Sequence, residues 1–379
     1  MEIKRNGTYT WQLLAILLVC GTANAEPTYS DVFVSGTEGY HTFRIPALLT
    51  TPKGSLLAFC EGRKTSGSDH GDVDLVMKRS TDSGNHWGPL HRIYEEGGDD
   101  NITIGNPCVV VDQDTGIIWL TFCRNNQDVL VMYSKDDGHI WSNPVNITPS
   151  VKRANWDWVA TGPGIGIQVK QGRFAGRLVI PCDHSELIDG KRTMVSHVFF
   201  SDDHGEQWKL GGSVGKHTDE CQVVELKDGN LMINMRNYWG RSGNRPDRAS
   251  RRAIAISEDG GNSWSSLRFD DTLIEPVCQA SFIRYTAGHQ MDSNVLLFSN
   301  PAAKDKRHRL TIRASDTDGH TWSVYRLLHE GPSAYSCLAT LPHVAAESAD
   351  VGCLYEAGQN TAYEKIIFAR VSLKWLGVR

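Results

Sequence analysis

Short, largely apolar runs recur along the chain, and a polar turn follows each of them within a few residues. The runs occupy residues 73–77, 129–133, 197–200 and 253–256. Short apolar runs that end at turn-forming residues are typical of β-strands, because helices need longer amphipathic patterns. The pattern therefore predicts an all-β chain that is assembled from hairpins.

The turns share the eight-residue motif Ser-x-Asp-x-Gly-x-x-Trp, which we call the box. It begins at five serines: Ser80, Ser134, Ser201, Ser257 and Ser315. Only the last box departs from the motif, with Thr317 in place of the aspartate. Ser and Asp side chains can bond nearby backbone amides, and Gly tolerates a positive φ. We interpret each box as the tight loop of a hairpin, whose Trp begins the returning strand and packs against a neighbouring unit. The boxes are expected to stabilise the fold and not to contact substrate.

The boxes recur at nearly constant spacing. Their first serines lie 54, 67, 56 and 58 residues apart, a mean of about 59. A repeat of this length fits four short strands with their loops, and such units packed radially form a β-propeller. Residues 26–379 divide by this mean into six units, of which the last has no box. We therefore predict a six-bladed β-propeller that forms one domain over residues 26–379. An N-terminal strand near residues 31–35 is expected to close the ring by joining the last sheet.

The first 25 residues differ from the rest of the chain. Lys4 and Arg5 precede an apolar run at residues 13–20, and small residues follow at 23–25. This order is typical of a cleaved signal peptide, and the run is too short to span a bilayer. The sequence therefore predicts a protein that lies outside the cytosol and is not stably inserted in a membrane.

Charge and cysteine content narrow the function further. The net charge is −5, so the chain lacks the basic field that is typical of nucleic-acid-binding proteins. Eight cysteines remain after residue 25, and an even number in a secreted chain permits disulfides. Most of them lie in apolar runs, where a free thiol behaves as a small buried hydrophobe. The sequence is therefore compatible both with disulfides and with free thiols. No Cys/His cluster has the spacing of zinc ligands.

Three arginines occur at the ends of apolar strand-like segments. Arg44 lies within residues 40–46, Arg236 follows residues 231–235, and Arg307 begins residues 307–312. A charge in such a setting needs a partner, so a structural ion pair is one interpretation. In a propeller, however, the inner strands converge on one axial mouth. Three guanidinium groups there would form an anion site suited to a carboxylate.

The sequence Phe-Arg-Ile-Pro at residues 43–46, together with the repeated boxes, resembles the exo-α-sialidase (neuraminidase) family. Residues 61–63, 68–71 and 161–164 also resemble the lysosomal animal sialidase and secreted bacterial sialidases. The resemblance covers nearly all of residues 26–379. It implies a six-bladed propeller that releases terminal α-linked sialic acids from glycoproteins, glycolipids and oligosaccharides, with no metal or cofactor. It also implies an extracellular or lysosomal location, whereas protein partners stay unknown.

The family binds the sialic acid carboxylate with three arginines, and the resemblance assigns them to Arg44, Arg236 and Arg307. Arg309 competes with Arg307, because it lies two residues along the same strand face. Counting back from the last box favours Arg307. Glu356 matches the glutamate that pairs with the first arginine, and a surface charge is the alternative. Arg63 is expected near the ring hydroxyls or the carboxylate, with a rim salt bridge as the alternative.

The resemblance also assigns the chemistry. Tyr335 matches the family nucleophile, Glu220 the residue that activates it, and Asp69 the acid/base. A neutral phenol suits this reaction, because an anionic nucleophile would approach a carboxylate-bearing carbon against like charge. Asp69 lies in a loop, whereas the nearby Asp72 and Asp74 alternate along a strand. A buried core tyrosine is the alternative for Tyr335.

Two other functions compete with hydrolysis. A propeller that only binds sialic acid would have lost Asp69, Glu220 or Tyr335, and all three are present. A trans-sialidase would share every one of these residues and differ in the acceptor that it uses. The sequence leaves the second alternative open, as it does the linkage preference.

Overall fold

The computed structural model describes residues 26–98, 100–241, 245–285, 295–342 and 350–378. The predicted signal peptide, residues 1–25, lies outside them. β-Strands dominate the described chain, and the two α-helices are single turns, α1 at Thr148–Val151 and α2 at Leu373–Leu376. The all-β prediction is confirmed. None of the helices in this part of the chain has the length and apolar character needed to cross a membrane.

Four sheets contain the strands between residues 42 and 274. The first sheet consists of β2 (Thr42–Thr50), β3 (Leu56–Arg63), β4 (Val73–Ser80) and β5 (His91–Tyr94). The second consists of β6 (Ile104–Val111), β7 (Ile118–Arg124), β8 (Asp128–Ser134), β9 (Val145–Asn146) and the short β11 (Gly164–Ile165). The third consists of β10 (Val159–Thr161), β12 (Ile167–Gln168), β13 (Leu178–Ile188), β14 (Lys191–Ser201) and β15 (Lys209–Lys216). The fourth consists of β16 (Thr218–Glu225), β17 (Leu231–Asn237), β18 (Arg251–Ser257) and β19 (Arg268–Ile274).

The fifth sheet has seven strands. Its strands are β20 (Ser281–Tyr285), β21 (Val295–Pro301), β22 (His308–Ser315), β23 (Val324–Thr340), β24 (Asp350–Ala357), β25 (Lys365–Ser372) and β1 (Thr28–Val34). The long strand β23 pairs with β22 through residues 324–332 and with β24 through residues 333–340. The N-terminal β1 pairs antiparallel with β25, which confirms the predicted closure strand.

The sheets follow one another around a ring. Strand β2 contacts β6, β13 contacts β16, β16 contacts β20, and β23 returns to contact β2. The arrangement is therefore propeller-like, with apolar cores between neighbouring sheets.

The five boxes form the predicted turns, and each begins at the last residue of a strand. In the first box the Ser80 hydroxyl accepts a hydrogen bond from the Gly84 N–H at 2.9 Å. The Asp82 carboxylate accepts one from the His86 N–H at 2.9 Å. In the last box the Thr317 hydroxyl takes the place of the carboxylate and accepts from the Thr321 N–H at 2.9 Å. The substitution therefore preserves the turn.

The box tryptophans contact the adjacent sheet, as predicted. Their partners are Phe368 for Trp87, Phe59 for Trp141, Trp119 for Trp208, Gly212 for Trp264 and Asp270 for Trp322. The prediction that the tryptophan begins the returning strand is wrong. Trp208 lies one residue before β15 and Trp87 lies four residues before β5, and both rings contact an aromatic side chain of the adjacent sheet from these positions.

The cysteines pack as apolar side chains. All eight that the described ranges contain are buried and free. No disulfide joins any of these eight residues, so all of them are free thiols in this structure.

Candidate active site

Bulges in four strands at one end of the ring form the frame of the site. The pairing of β2, β6, β16 and β23 with their neighbours skips two residues in each strand: Ile45–Pro46, Asn106–Pro107, Asp219–Glu220 and Ala334–Tyr335. A bulge frees side chains from the regular alternation of the ladder. All four bulges contribute to the lining of a common cavity of about 280 Å³, through Ile45, Asn106, Asp219, Glu220 and Tyr335.

A second cavity, of about 190 Å³, lies at the opposite end of the same strands. Its lining is mainly apolar and includes Leu49, Val111 and Val224. None of the residues predicted for the site lines it. The polar cavity at the bulges is therefore the candidate active site.

Arg44 and Glu356 form a buried ion pair behind this cavity. Arg44 donates from Nε to Glu356 Oε1 at 3.0 Å and from Nη2 to Oε2 at 3.2 Å. Glu356 also accepts hydrogen bonds from the backbone N–H groups of Ile45, at 2.9 Å, and Tyr335, at 3.0 Å. The Glu356 carboxylate thus fixes Arg44 and the bulges that contain Ile45 and Tyr335. This contradicts the alternative that Glu356 is a surface charge.

Arg236 connects two acidic side chains with the phenol of Tyr335. Its Nη1 donates to Glu220 Oε2 at 2.6 Å and to the Tyr335 hydroxyl at 3.0 Å. Its Nε lies 3.5 Å from Asp219 Oδ2. One guanidinium therefore holds Glu220 and the Tyr335 hydroxyl next to each other.

Arg307, and not Arg309, belongs to this cluster. Its guanidinium carbon lies 5.4 Å from the ring centre of Tyr335, and its Nη1 donates to the Tyr363 hydroxyl at 3.0 Å. The Arg309 side chain is 45% exposed and pairs with Glu330, whose side chain is 68% exposed. Arg44 approaches the same ring to 5.1 Å. The three predicted arginines therefore converge on Tyr335, although only Arg236 lines the cavity itself.

Arg63 is buried at the cavity wall, which contradicts the alternative of a rim salt bridge. It donates from Nε and Nη2 to Glu61 Oε2, at 3.0 and 2.7 Å. Its Nη1 lies 2.9 Å from Asp69 Oδ1, which is also 3.3 Å from Arg44 Nη1. Burial acts to raise the pKa of Asp69, but the charges of Arg63 and Arg44 outweigh it and lower that pKa.

Asp69 is the carboxylate of its loop that reaches the cavity. Its side chain is 70% exposed. Asp72 instead pairs with Lys64 at 3.0 Å, and Asp74 accepts a hydrogen bond from the Tyr40 hydroxyl at 2.6 Å. Neither of these two residues lines the cavity.

The environment of Tyr335 keeps its hydroxyl protonated at rest. Burial raises the pKa of Tyr335 well above its ordinary value, and the charge of Glu220 adds to this, while Arg236 acts in the opposite direction. Burial also raises the pKa of Glu220, an effect that Arg236 reduces and Asp219 reinforces. A carboxylate with a raised pKa is a better base toward a phenol. The pair is therefore suited to transfer of a proton from Tyr335 to Glu220.

Several residues of the site were missed by the sequence analysis. They are Glu61, Asn106, Trp158, Asp183, Asp219 and Tyr238. Asn106 precedes Pro107 just as Ile45 precedes Pro46, so an Xaa-Pro pair in an apolar strand is a signal that could have revealed a bulge. Asp183 accepts a hydrogen bond from the Trp158 indole at 3.1 Å, and burial followed by Asp219 raises its pKa well above the ordinary value. No local pattern distinguishes it.

Comparison with known proteins identifies relatives along most of the chain. A family model described as a BNR repeat-like domain matches residues 54–363. A sialidase of Micromonospora viridifaciens is 34% identical over 93% of this chain, which spans only 55% of that protein. Sialidase-3 of Homo sapiens is 30% identical, over 86% of this chain and 88% of that protein. The solved structure of the Hadza microbial sialidase Hz136 aligns with a TM-score of 0.80 at 32% identity, covering 92% of this chain and 69% of that one.

Proposed function

The chain belongs to the sialidase family, and from this premise we propose that it is an exo-α-sialidase. It releases terminal α-linked sialic acids from glycoproteins, glycolipids and oligosaccharides by retaining hydrolysis. The observation that carries the proposal is the hydrogen bond from Arg236 Nη1 to the Tyr335 hydroxyl, made by a guanidinium that also binds Glu220. This arrangement unites a nucleophile, a base and a carboxylate-binding group.

The substrate carboxylate binds to Arg44, Arg236 and Arg307. All three guanidinium groups lie against Tyr335, so the anomeric carbon of a sugar held by them is brought next to the phenol. Planar guanidinium groups suit a carboxylate because they can donate two parallel hydrogen bonds. The buried Glu356 keeps Arg44 in place, while Nη1 of Arg44 stays directed toward the site.

Tyr335 attacks the anomeric carbon while Glu220 accepts the phenol proton, which gives a tyrosyl-enzyme intermediate. The phenol is neutral until attack, so it does not repel the substrate carboxylate. Asp69 protonates the departing oxygen and then activates the water that releases the sugar. Arg63 holds Asp69 in place from the cavity wall.

Substrate binding also prepares Asp69 for this role. In the unliganded site Arg44 and Arg63 lower the pKa of Asp69, which disfavours the protonated form that an acid needs. A substrate carboxylate on Arg44 takes over that guanidinium and adds a negative charge nearby. Both changes raise the pKa of Asp69, so the acid is formed when the substrate is bound.

The remaining features of the proposal concern architecture and location. Strand β23 contributes one half of its length to each side of the seven-stranded sheet, so each side consists of four strands. This supports six blades in one catalytic domain over residues 26–379. The leader-like pattern of residues 1–25 supports a secreted protein, extracellular or lysosomal.

Incubation with 3′-sialyllactose, with and without excess lactose, tests this function against its competitors. We expect free sialic acid at the same rate in both mixtures, because the proposal assigns release to water. Transfer of sialic acid to the added lactose, supplied as the ¹³C-labelled sugar so that the product differs in mass from the donor, would instead indicate a trans-sialidase. Binding of sialyllactose without either product would indicate a propeller that only binds sialic acid, and the Tyr335→Phe variant serves as the inactive control.

A further inference from the structure

A groove of about 610 Å³ adjoins the candidate active site on the side of the third and fourth sheets. It shares Arg192, Met194 and Tyr238 with the wall of the cavity. Whatever extends from a sugar bound in the cavity can therefore pass directly into this groove. The mechanism proposed above does not use its remaining residues.

The groove is built by the hairpin of β13 and β14, which projects beyond its neighbours. Both strands have 11 residues, and they are joined through Asp189 and Gly190, whose φ angles of 53° and 71° form a tight turn. Their tip forms one wall. The end of β15, at Lys216, and the segment after β17, at Arg241, complete the lining.

The charge of this groove is strongly biased. Its lining contains four permanent cations, Lys191, Arg192, Lys216 and Arg241, and one carboxylate, Asp189, which gives a formal charge of 4 − 1 = +3. The whole chain carries −5, so the groove does not simply reflect a basic composition. Clefts that are lined by one sign of charge concentrate ligands of the opposite sign.

These cations are only weakly neutralised. Arg192 lies 3.6 Å from Asp157 and Lys216 lies 3.9 Å from Asp189, and all four side chains are well exposed. Lys191 and Arg241 form no ion pair with any carboxylate of the described residues. The Arg241 guanidinium lies 4.8 Å from the ring centre of Tyr238, at the boundary between groove and cavity. Two cations are thus available to a ligand that leaves the cavity.

We propose that this basic groove is the aglycone site and that it favours substrates whose aglycone carries a carboxylate or a sulfate. The inference rests on the proposed sialidase function and adds the substrate class. A second sialic acid and a sulfated sugar both supply such an anion. Their shared chemistry is an exposed negative group near the departing oxygen, within reach of Lys191 and Arg241.

The test compares kcat/KM for two kinds of substrate. One is a matched pair, 3′-sialyl-N-acetyllactosamine with and without a 6-sulfate, and the other is α2,8-disialyllactose beside 3′-sialyllactose. We expect the wild type to prefer the anionic member by about fivefold at low salt, the effect of two exposed ion pairs. The preference should shrink as ionic strength rises, because salt screens exposed charges.

Charge reversal in the groove provides the decisive comparison. In Lys191→Glu/Arg241→Glu the ratio of kcat/KM for anionic over neutral substrate should fall to one or below. Lys53→Glu is the control, because Lys53 is exposed in the turn after β2, at the far end of that strand from the site. It should keep the wild-type ratio. If the reversed variant does not fold, Lys191→Gln/Arg241→Gln and the salt dependence of the wild type make the same comparison.

Each outcome decides between the two proposals. Equal rates on neutral and anionic substrates, or a ratio that charge reversal leaves unchanged, overturn the aglycone site while the sialidase function stands. Absence of sialic acid release from every substrate overturns the sialidase function and this inference with it. A preference confined to the disialyl substrate assigns the groove to a second sialic acid, and one confined to the sulfated substrate assigns it to a sulfate.

Discussion

Arg44 and Glu356 are 312 residues apart in the chain, and their side chains form two hydrogen bonds in a fully buried ion pair. The pair joins the first sheet to the end of the seven-stranded sheet, where the ring closes. The same carboxylate accepts the N–H groups of Ile45 and Tyr335. Loss of the Glu356 charge should therefore disturb the fold and the site together.

Replacement of Glu356 by Gln should cost about 3 to 5 kcal/mol of unfolding free energy, because it leaves the Arg44 charge buried without a partner. Urea unfolding of both proteins measures this difference. Glu330→Gln is the matched control, since Glu330 pairs with Arg309 in solvent. It should cost less than about 1 kcal/mol. A Glu356→Gln protein as stable as the control would contradict a structural role for the pair.

Replacement of Arg44 by Lys should reduce kcat/KM on sialyllactose, because a point charge cannot reproduce the guanidinium fork. The expected reduction corresponds to a loss of about 2 to 3 kcal/mol in transition-state binding. Arg309→Lys, two residues from Arg307 and outside the cluster, should leave kcat/KM within about twofold. An unchanged value in Arg44→Lys would show that Arg44 serves only the ion pair with Glu356.

The buried pair of His184 and His197 should weaken the fold in acid. Their Nδ1 atoms lie 3.0 Å apart, and neither residue is exposed. Burial, followed by the charge of Arg153, lowers the pKa of His184 to about 3, and burial also lowers that of His197. Below pH ~6.5 the unfolded chain binds protons at these two histidines that the folded chain does not bind. The free energy of unfolding should therefore decrease by about 2 kcal/mol per histidine as the pH is lowered to ~5.

Unfolding free energies at pH values between about 7.5 and 5 check this expectation. The double variant His184→Asn/His197→Asn should be less stable at neutral pH, yet its stability should change much less between the two values. His320→Asn, in the last box, is the control and should keep the wild-type dependence. An identical pH slope in the double variant would refute the assignment.

Local chemistry made much of the fold predictable from the sequence. The boxes are self-contained, because Ser80 and Asp82 bond amides only four residues away, so the turns and their spacing follow from the motif alone. The closing strand followed from the need to cover a sheet edge. By contrast, the position of Trp87 before its strand depends on Phe368 in another sheet, and no local signal specifies that contact.

The site was predictable where a motif anchors it. Arg44 and Tyr335 occur in recognisable contexts, and the structure brings them together. Asp183 was not predictable, because its raised pKa arises from burial and from Asp219 and Glu220, which are distant in sequence. The basic groove beside the site was missed for the same reason: Lys191 lies in β14 and Arg241 in the segment after β17, and the two become neighbours only in the folded ring.

Asp69 and Tyr335 should differ in how their loss depends on the leaving group. A natural glycoside departs as an alkoxide and needs a proton, which our proposal assigns to Asp69, whereas an aryl sialoside with an acidic phenol departs nearly unaided. Asp69→Ala should therefore form the sialyl-enzyme far better from the aryl substrate than from sialyllactose. Hydrolysis of the sialyl-enzyme would still be slow in this variant, because the residue proposed to activate water is missing. Stopped-flow detection should therefore show a burst of phenol followed by slow turnover.

Tyr335→Phe lacks the proposed nucleophile for either substrate, so it should show no burst and no covalent adduct by mass spectrometry of the intact protein. The hydroxyl that Arg236 binds is removed, while the ring between Arg44 and Arg307 is kept. The two variants must therefore fail in different ways. Equal loss on both substrates without a burst in Asp69→Ala would reject Asp69 as the acid/base. Asp72 would then be the next carboxylate to test, although its pairing with Lys64 directs it away from the cavity.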